Sequence, residues 1–341
     1  MATHRFQPTR YHTVIGTADP VLRLANGDTL IAATIDASGL DANEAQAWER
    51  GNPMTGPFFI EGAEPGDTLA VHINRLTPSR ATGWTYSPLA LTVLDPAAIP
   101  ERPANERSVW MIDNNAGTVR LREPYPGLED FAPPIQPMIG CFGVAPARGQ
   151  AISTATSANH GGNMDYRLFR PGTTAWFPVS QPGALFYLGD GHACQGDGEI
   201  TGTGIETSFE MEVTLTVLKR TITWPRGETE EDIFTVGNAR PLDQALQHAT
   251  TEMMRWLGED YGLDPRAASH LMGQTVSYDI GNVFNPAYTV GCRISKKWLT
   301  KKQESSFSEE KEAKRRQFPT PGATPLMFAL YWRLGWLGIT S

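Results

Sequence analysis

Residues 159–206 gather the side chains best suited to chemistry, in the run NHGGNMDYRLFRPGTTAWFPVSQPGALFYLGDGHACQGDGEITGTGIE. It holds two histidines, His160 and His192, and five carboxylates, Asp165, Asp190, Asp197, Glu199 and Glu206. Imidazole and carboxylate together suit zinc and similar divalent ions. The residues between them are small and often glycine, which lets the backbone approach a compact site closely and adopt φ > 0 without a Cβ clash. A solvated charged surface has no need of that framing.

Three sub-clusters divide the run. In His160-Gly161-Gly162-Asn163-Met164-Asp165 a tight return brings His160 and Asp165 to one pocket, with the Asn163 amide free for a carbonyl or amine; the alternative is a polar loop whose Asp caps a turn. Gly189-Asp190-Gly191-His192 follows an apolar strand, which can hold polar groups rigidly at its end; the alternative is an Asp-Gly hairpin turn with an exposed histidine. Gly196-Asp197-Gly198-Glu199 is either a calcium-like loop or an ordinary turn. Glu206 enters the next strand, as a general base, a ligand or a solvent-facing edge carboxylate. Two His-plus-Asp clusters within about thirty residues favour a metal or acid–base site, in a pattern argument weaker than a true HExxH. Outside the run, Asp36 ends a strand before Ser38-Gly39, where a turn-forming Asp is the simpler reading. Thr55 sits in the rigid stretch 52–57, a loop wall rather than a nucleophile.

The elements that must position these groups are mostly strands. Apolar runs at 20–24, 29–35, 68–74, 174–179, 183–189 and 209–218 are punctuated by turn chemistry such as Asn26-Gly27-Asp28 and Glu64-Pro65-Gly66-Asp67. In the last run Met211, Val213, Leu215 and Val217 share one face by period two. Helical spacing appears late: Leu242, Leu246, Ala249, Met253 and Leu257 predict a helix of about four turns. A second helix starts at Asp264-Pro265, an N-cap followed by Pro at the first helical position. The fold class expected is mainly β with α additions, a sandwich or barrel carrying late helices.

Composition limits the function classes. A chain of 341 residues with 40% hydrophobic and 19% charged content can build a sizeable core. A net charge of −8 offers nucleic acid no basic footprint. Cys141, Cys194 and Cys292 are too few and scattered for a disulfide framework, which points to a reducing cytoplasm. No run of eighteen uncharged apolar residues is present, and the first sixteen residues carry no secretory apolar core. There is no G-x-S-x-G elbow and no Walker or dinucleotide-binding loop. Composition changes near Lys296: residues 296–317 carry eight Lys or Arg against four Glu, followed by an apolar run at 326–339. A solvated helix is the simpler reading of this tail, an arm docking on an acidic surface the other.

The motifs together resemble the acetamidase/formamidase family: NPMTGPFFIEGAEPGD at 52–67, PMIGCFGVAP at 137–146, HGGNMD at 160–165 and GDGHACQGDGE at 189–199 with Glu206 downstream. The likeness covers roughly residues 10–295, so 1–295 is expected to be the catalytic region and 296–341 a divergent extension. It implies hydrolysis of a short amide to a carboxylate and ammonia in a β-rich homo-oligomer, dimer or larger. Carried onto this chain, it implies a divalent metal, zinc first and calcium second, held by Asp36, His160, Asp165 and His192. Glu206 is then the catalytic base and Asn163 an oxyanion donor, with Asp190, Tyr166 and Thr55 on the substrate. Tyr166-Arg167 is bulkier than the small residue expected after that motif, which raises the alternative of a larger amide. A reading from a different class is a non-catalytic β protein whose loops bind a metal or a sugar.

Overall fold

Apolar alternation in the strands produces two large sheets packed face to face, seen in a computed structural model that describes residues 1–300. The first sheet has nine strands, in the order Thr3–Phe6, Thr29–Ala33, Phe209–Leu218, Thr68–Pro78, Thr174–Pro178, Arg226–Glu228, Asp232–Ala239, Tyr288–Ser295 and Ser277–Asn282. Phe209–Leu218 alternates buried and half-buried residues along its whole length, as period two requires. Each of Met211, Val213 and Leu215 is fully buried, which stabilises by roughly 1.5–3 kcal/mol per side chain.

The second sheet runs Ser157–Ala158, Gly161–Asn163, Met138–Val144, Phe186–His192, Glu206–Thr207, Thr82–Tyr86, Arg107–Asp113 and Thr118–Leu121. Leu30, Val71 and Val213 of the first sheet share one core with Ile139, Phe142 and Leu188 of the second. Across that core the Phe142 and Phe177 rings meet edge to face at 4.9 Å. The arrangement is a sandwich. The barrel alternative does not hold, because neither sheet closes on itself among the described residues.

The late helices are where the spacing places them. The first, Leu242–Tyr261, buries Ala249, Met253, Trp256 and Leu257 against Ile233, Cys292 and Ile294 of the first sheet. Gly262 ends it at φ 69°, a left-handed cap that glycine adopts readily. The second, Pro265–Thr275, is capped by Asp264, whose side chain accepts from the Ala267 amide at 2.8 Å. No helix among the described residues is long and apolar enough to cross a membrane. The turn Lys296–Trp298 is described, with Lys296 paired to Glu228 at 2.6 Å. The rest of the basic tail and the apolar run at 326–339 lie outside the described residues.

One strand organises the site. Phe186–His192 pairs along one edge with Met138–Val144. Along the other edge it pairs first with Thr55–Ile60, through Phe186 and Leu188, and then with Glu206–Thr207, through Gly191 and His192. The change of partner falls at Gly189 and Asp190. The Gly-Asp-Gly-His stretch is therefore the end of a buried strand and not a hairpin turn.

Candidate active site

His192 stands opposite Glu206 in the ladder, and its Nε2 lies 2.9 Å from Glu206 Oε1 and 3.4 Å from Asp190 Oδ1. Asp190 reaches the same place from two residues earlier on the same strand. Asp165 arrives from the segment just after Gly161–Asn163, and Glu199 from the single turn Asp197–Glu199. The atoms of Asp165, Asp190 and His192 lie within 4.8 Å of one another, as do those of His192, Glu199 and Glu206. His192 belongs to both groups and is the centre of the cluster. Its immediate floor is Gly140, where a Cβ would fall 2.8 Å from Asp190 Oδ2 and closer still to Asp165 Oδ1.

The backbone is held away from its relaxed state around these groups. Asn52, Asp165, Asp190 and Glu199 have φ of 58°, 44°, 56° and 43°, and a non-glycine residue in that region costs on the order of 1–3 kcal/mol. Side-chain amides keep the strained segments in place. Asn285 and Asn282 donate to Asp165 Oδ2 at 2.7 and 3.3 Å. Asn52 donates to Asp190 Oδ2 and to Asn163 Oδ1, both at 2.9 Å.

Burial governs the electrostatics, since no carboxylate of the cluster is more than 5% exposed. Burial first and the Asp190 charge second raise Asp165 to about 7. Burial raises Glu206 to about 8 against the opposing pull of His192. Burial and the neighbouring Asp165 push Glu199 well above the carboxylate range. Burial alone would lower His192, but Glu206 and Asp190 outweigh it and hold the imidazole well above its usual value. Four carboxyl groups thus surround one imidazole, and their crowding in a dry site favours the protonated forms, which a bound divalent cation would displace in favour of the ionised ones.

The donor atoms fit such an ion. Asp165 Oδ1, Glu199 Oε2, Glu206 Oε2 and His192 Nε2 are all buried without a hydrogen-bond partner, with Glu206 Oε1 and Asp190 Oδ1 the carboxylate oxygens that approach Nε2, at 2.9 and 3.4 Å. Buried polar atoms normally find partners, and three carboxyl oxygens and one imidazole nitrogen left without any, on residues grouped around His192, form a site able to hold a metal ion.

The remaining expected residues divide. Asn163 is at the site, its Oδ1 engaged by Asn52 and its carbonyl facing Asn282 and Asn285. His160 is buried nearby with both ring nitrogens unpartnered, and burial lowers its pKa to about 4, but its atoms belong to neither group around His192. Asp36 differs from expectation as a metal ligand. Its Oδ1 accepts from the Ser38 and Leu40 amides and its Oδ2 from Arg80 at 2.5 Å and Trp84 at 2.8 Å, which leaves neither oxygen free. Thr55 differs too: wholly buried in the strand Thr55–Ile60, it donates its hydroxyl to the Ala33 carbonyl. Tyr166 does not line a substrate pocket. Its ring packs between Phe169 and Phe234 in the main core, and its hydroxyl donates to Asp279 at 2.6 Å.

Sequence reasoning undervalued other residues. The loop-shaping role suits Asp197, which is exposed and paired with Arg167, but Glu199 points into the cluster. Asn52, Gln195, Asn282 and Asn285 were not singled out, although Asn52 and Gln195 lie inside the motifs at 52–67 and 189–199.

Comparison with known proteins finds relatives over most of the described residues. The model of the acetamidase/formamidase family matches residues 144–258. An acetamidase from Mycolicibacterium smegmatis is 28% identical over 240 residues, covering 55% of this chain and 59% of that protein. The crystal structure of an acetamidase from Yersinia enterocolitica superposes with a TM-score of 0.77 at 32% identity, covering 87% of this chain and 93% of that one. That of a predicted acetamidase/formamidase from Thermoanaerobacter tengcongensis gives 0.76 at 29% identity, covering 87% and 96%. The chain spans about half to three fifths of the length of the curated relatives it matches.

Proposed function

This chain belongs to the acetamidase/formamidase family, and from that premise we propose that the cluster around His192 hydrolyses a short-chain amide to a carboxylate and ammonia. The observation that carries the proposal is the buried grouping of Asp165 and Asp190, and of Glu199 and Glu206, around His192, with Asp165, Glu199, Glu206 and His192 each keeping one side-chain atom without a hydrogen-bond partner. Asp165, Asp190 and His192 would hold a divalent cation, and one imidazole with two carboxylates favours zinc over calcium. When bound, such an ion lowers the pKa of water and polarises a carbonyl.

The chain's own groups do the rest. Glu206 Oε2, in its ionised form, takes the proton of the attacking water and gives it to the leaving nitrogen; burial holds this carboxyl at about 8 in the cation-free chain, so the ionised base grows in as pH rises towards that value. The Asn163 amide holds the substrate oxygen as negative charge develops on it. The three thiols are unpaired, which supports a reducing compartment, and homo-oligomerisation is part of the same reading on family grounds.

Ammonia release from formamide and acetamide, measured beside elemental analysis of the purified chain, tests the proposal. The expected outcome is turnover that chelation abolishes and zinc restores. Full turnover in chelated protein would exclude a metal-dependent mechanism, and bound metal with no turnover on any amide would favour a non-catalytic binding protein.

A further inference from the structure

His192 has two ring nitrogens, and the structure assigns their roles through Gln195. Gln195 Nε2 lies 2.6 Å from the Asp165 carbonyl oxygen and 3.5 Å from that of Gly281. Both are acceptors only, so the amide nitrogen of Gln195 must point at them and its Oε1 must point the other way. Oε1 lies 2.7 Å from His192 Nδ1. A carbonyl oxygen cannot donate, so Nδ1 carries the proton, and in the neutral ring the lone pair is left on Nε2, the nitrogen that faces Glu206 and Asp190.

The ring is also held from its other side. A Cβ at Gly204 would meet His192 Cγ and Nδ1 at 2.5 Å, so the backbone there packs directly against the imidazole. Gln195 and Gly204 together leave the ring one orientation. The same glutamine ties the main chain of Asp165, so one buried side chain sets the placement of two of the groups that face the cation.

We propose that Gln195 is a positioning residue that locks His192 in the Nδ1-protonated form and thereby sets the affinity of the cluster for a divalent cation. The inference rests on the reading that the cluster holds such a cation. It concerns the metal-binding strength of the chain, independently of which amide is cleaved. A partner on the second nitrogen of a ligating histidine fixes its tautomer and ring direction, and losing that partner typically weakens metal binding by about 10–100-fold.

The test is zinc affinity of the full chain, measured by competition with a chromophoric chelator, for the natural protein and for Gln195→Met. Methionine keeps the length and apolar stem but removes both the acceptor and the donor. Zinc binding about 10–100-fold weaker in the variant is expected. A second measurement needs no substitution. In the zinc-loaded natural chain, the His192 Nδ1 proton should resonate far downfield and exchange slowly with solvent, as a proton held by Gln195 Oε1 at 2.7 Å does, whereas a merely space-filling glutamine would leave it an ordinary, fast-exchanging ring proton. Zinc affinity within twofold of the natural chain in a folded Gln195→Met, or an Nδ1 proton with the shift and exchange rate of an unbonded ring proton, overturns the inference while leaving the cation reading intact. A natural chain that takes up no divalent cation overturns both.

Discussion

His192 and Glu206 are direct partners in an antiparallel ladder, and their side chains meet at 2.9 Å between Nε2 and Oε1. The main chain sets this separation, because residues directly opposite each other in such a ladder hold their Cβ atoms about 4.5–5.5 Å apart. Two strands therefore present an imidazole and a carboxylate to one point without relying on a loop. Asp165 and Glu199, which do come from loops, need side-chain amides or left-handed backbone to reach it.

Replacing Glu206 by Gln keeps the shape and removes the proton acceptor. Turnover on acetamide or formamide is expected to fall by about 10²–10⁴-fold, while zinc stays bound through Asp165, Asp190 and His192. Turnover and metal content are measured on the same sample. A variant purified without metal would make Glu206 a ligand instead of the base.

Cation binding should be pH-dependent in a defined direction. Asp165 at about 7 and Glu206 at about 8 hold protons near neutrality in the cation-free chain. A cation displaces those protons, so affinity rises with pH and levels off above about 8, with proton release on binding. Calorimetry in buffers of different ionisation heat counts the protons. Stability follows the same groups. Their folded pKa values are raised above the unfolded ones, so their stabilising contribution is complete below about 4 and is lost as pH rises through 7–8. Thermal unfolding of chelated protein should show that loss, and added zinc should reverse it.

Tyr166→Phe separates the sequence expectation from the structure. The ring lies in the core, and its hydroxyl donates to Asp279, which Arg293 also holds at 3.0 Å. Removing the hydroxyl should cost about 1.5–3 kcal/mol, the range for hydrogen bonds to charged groups, read from urea unfolding. The ratio of turnover on acetamide to that on bulkier amides should not change. A shift in that ratio would return Tyr166 to the pocket wall.

Local patterns carried much of the fold into the sequence. Period two in Phe209–Leu218 and three-to-four spacing in Leu242–Tyr261 are short-range signals, and both elements appear as spaced. The span 159–206 was legible as a candidate site because glycines and ligand-type residues are packed into it. What failed were questions of direction. Asp165 at φ 44° turns the chain, so that its neighbour Tyr166 enters the core instead of the pocket. Gly198 at φ 84° separates an exposed Asp197 from a buried Glu199. Asp36 finds Arg80 and Trp84 more than forty residues away, and Asp165 finds Asn282 and Asn285 more than a hundred residues away. Such partners follow from sheet register, which spacing within one segment does not encode.

Gly140→Ala tests whether the floor of the cluster must lack a side chain. Gly140 lies in the fully buried strand Met138–Val144 without a left-handed φ, so its backbone accepts alanine, which loses less chain entropy than glycine on folding. The obstacle lies at the site itself: the new methyl would sit 2.8 Å from Asp190 Oδ2, closer to Asp165 Oδ1, and 3.0 Å from the Asp190 carbonyl oxygen. Those carboxylates must move apart, and with them two of the three groups that would hold the cation. Zinc affinity and turnover should therefore collapse together, while the circular dichroism spectrum of the strands stays unchanged. Retention of natural zinc affinity by a folded Gly140→Ala chain would mean that the cation binds on the Glu199 and Glu206 side of His192 instead.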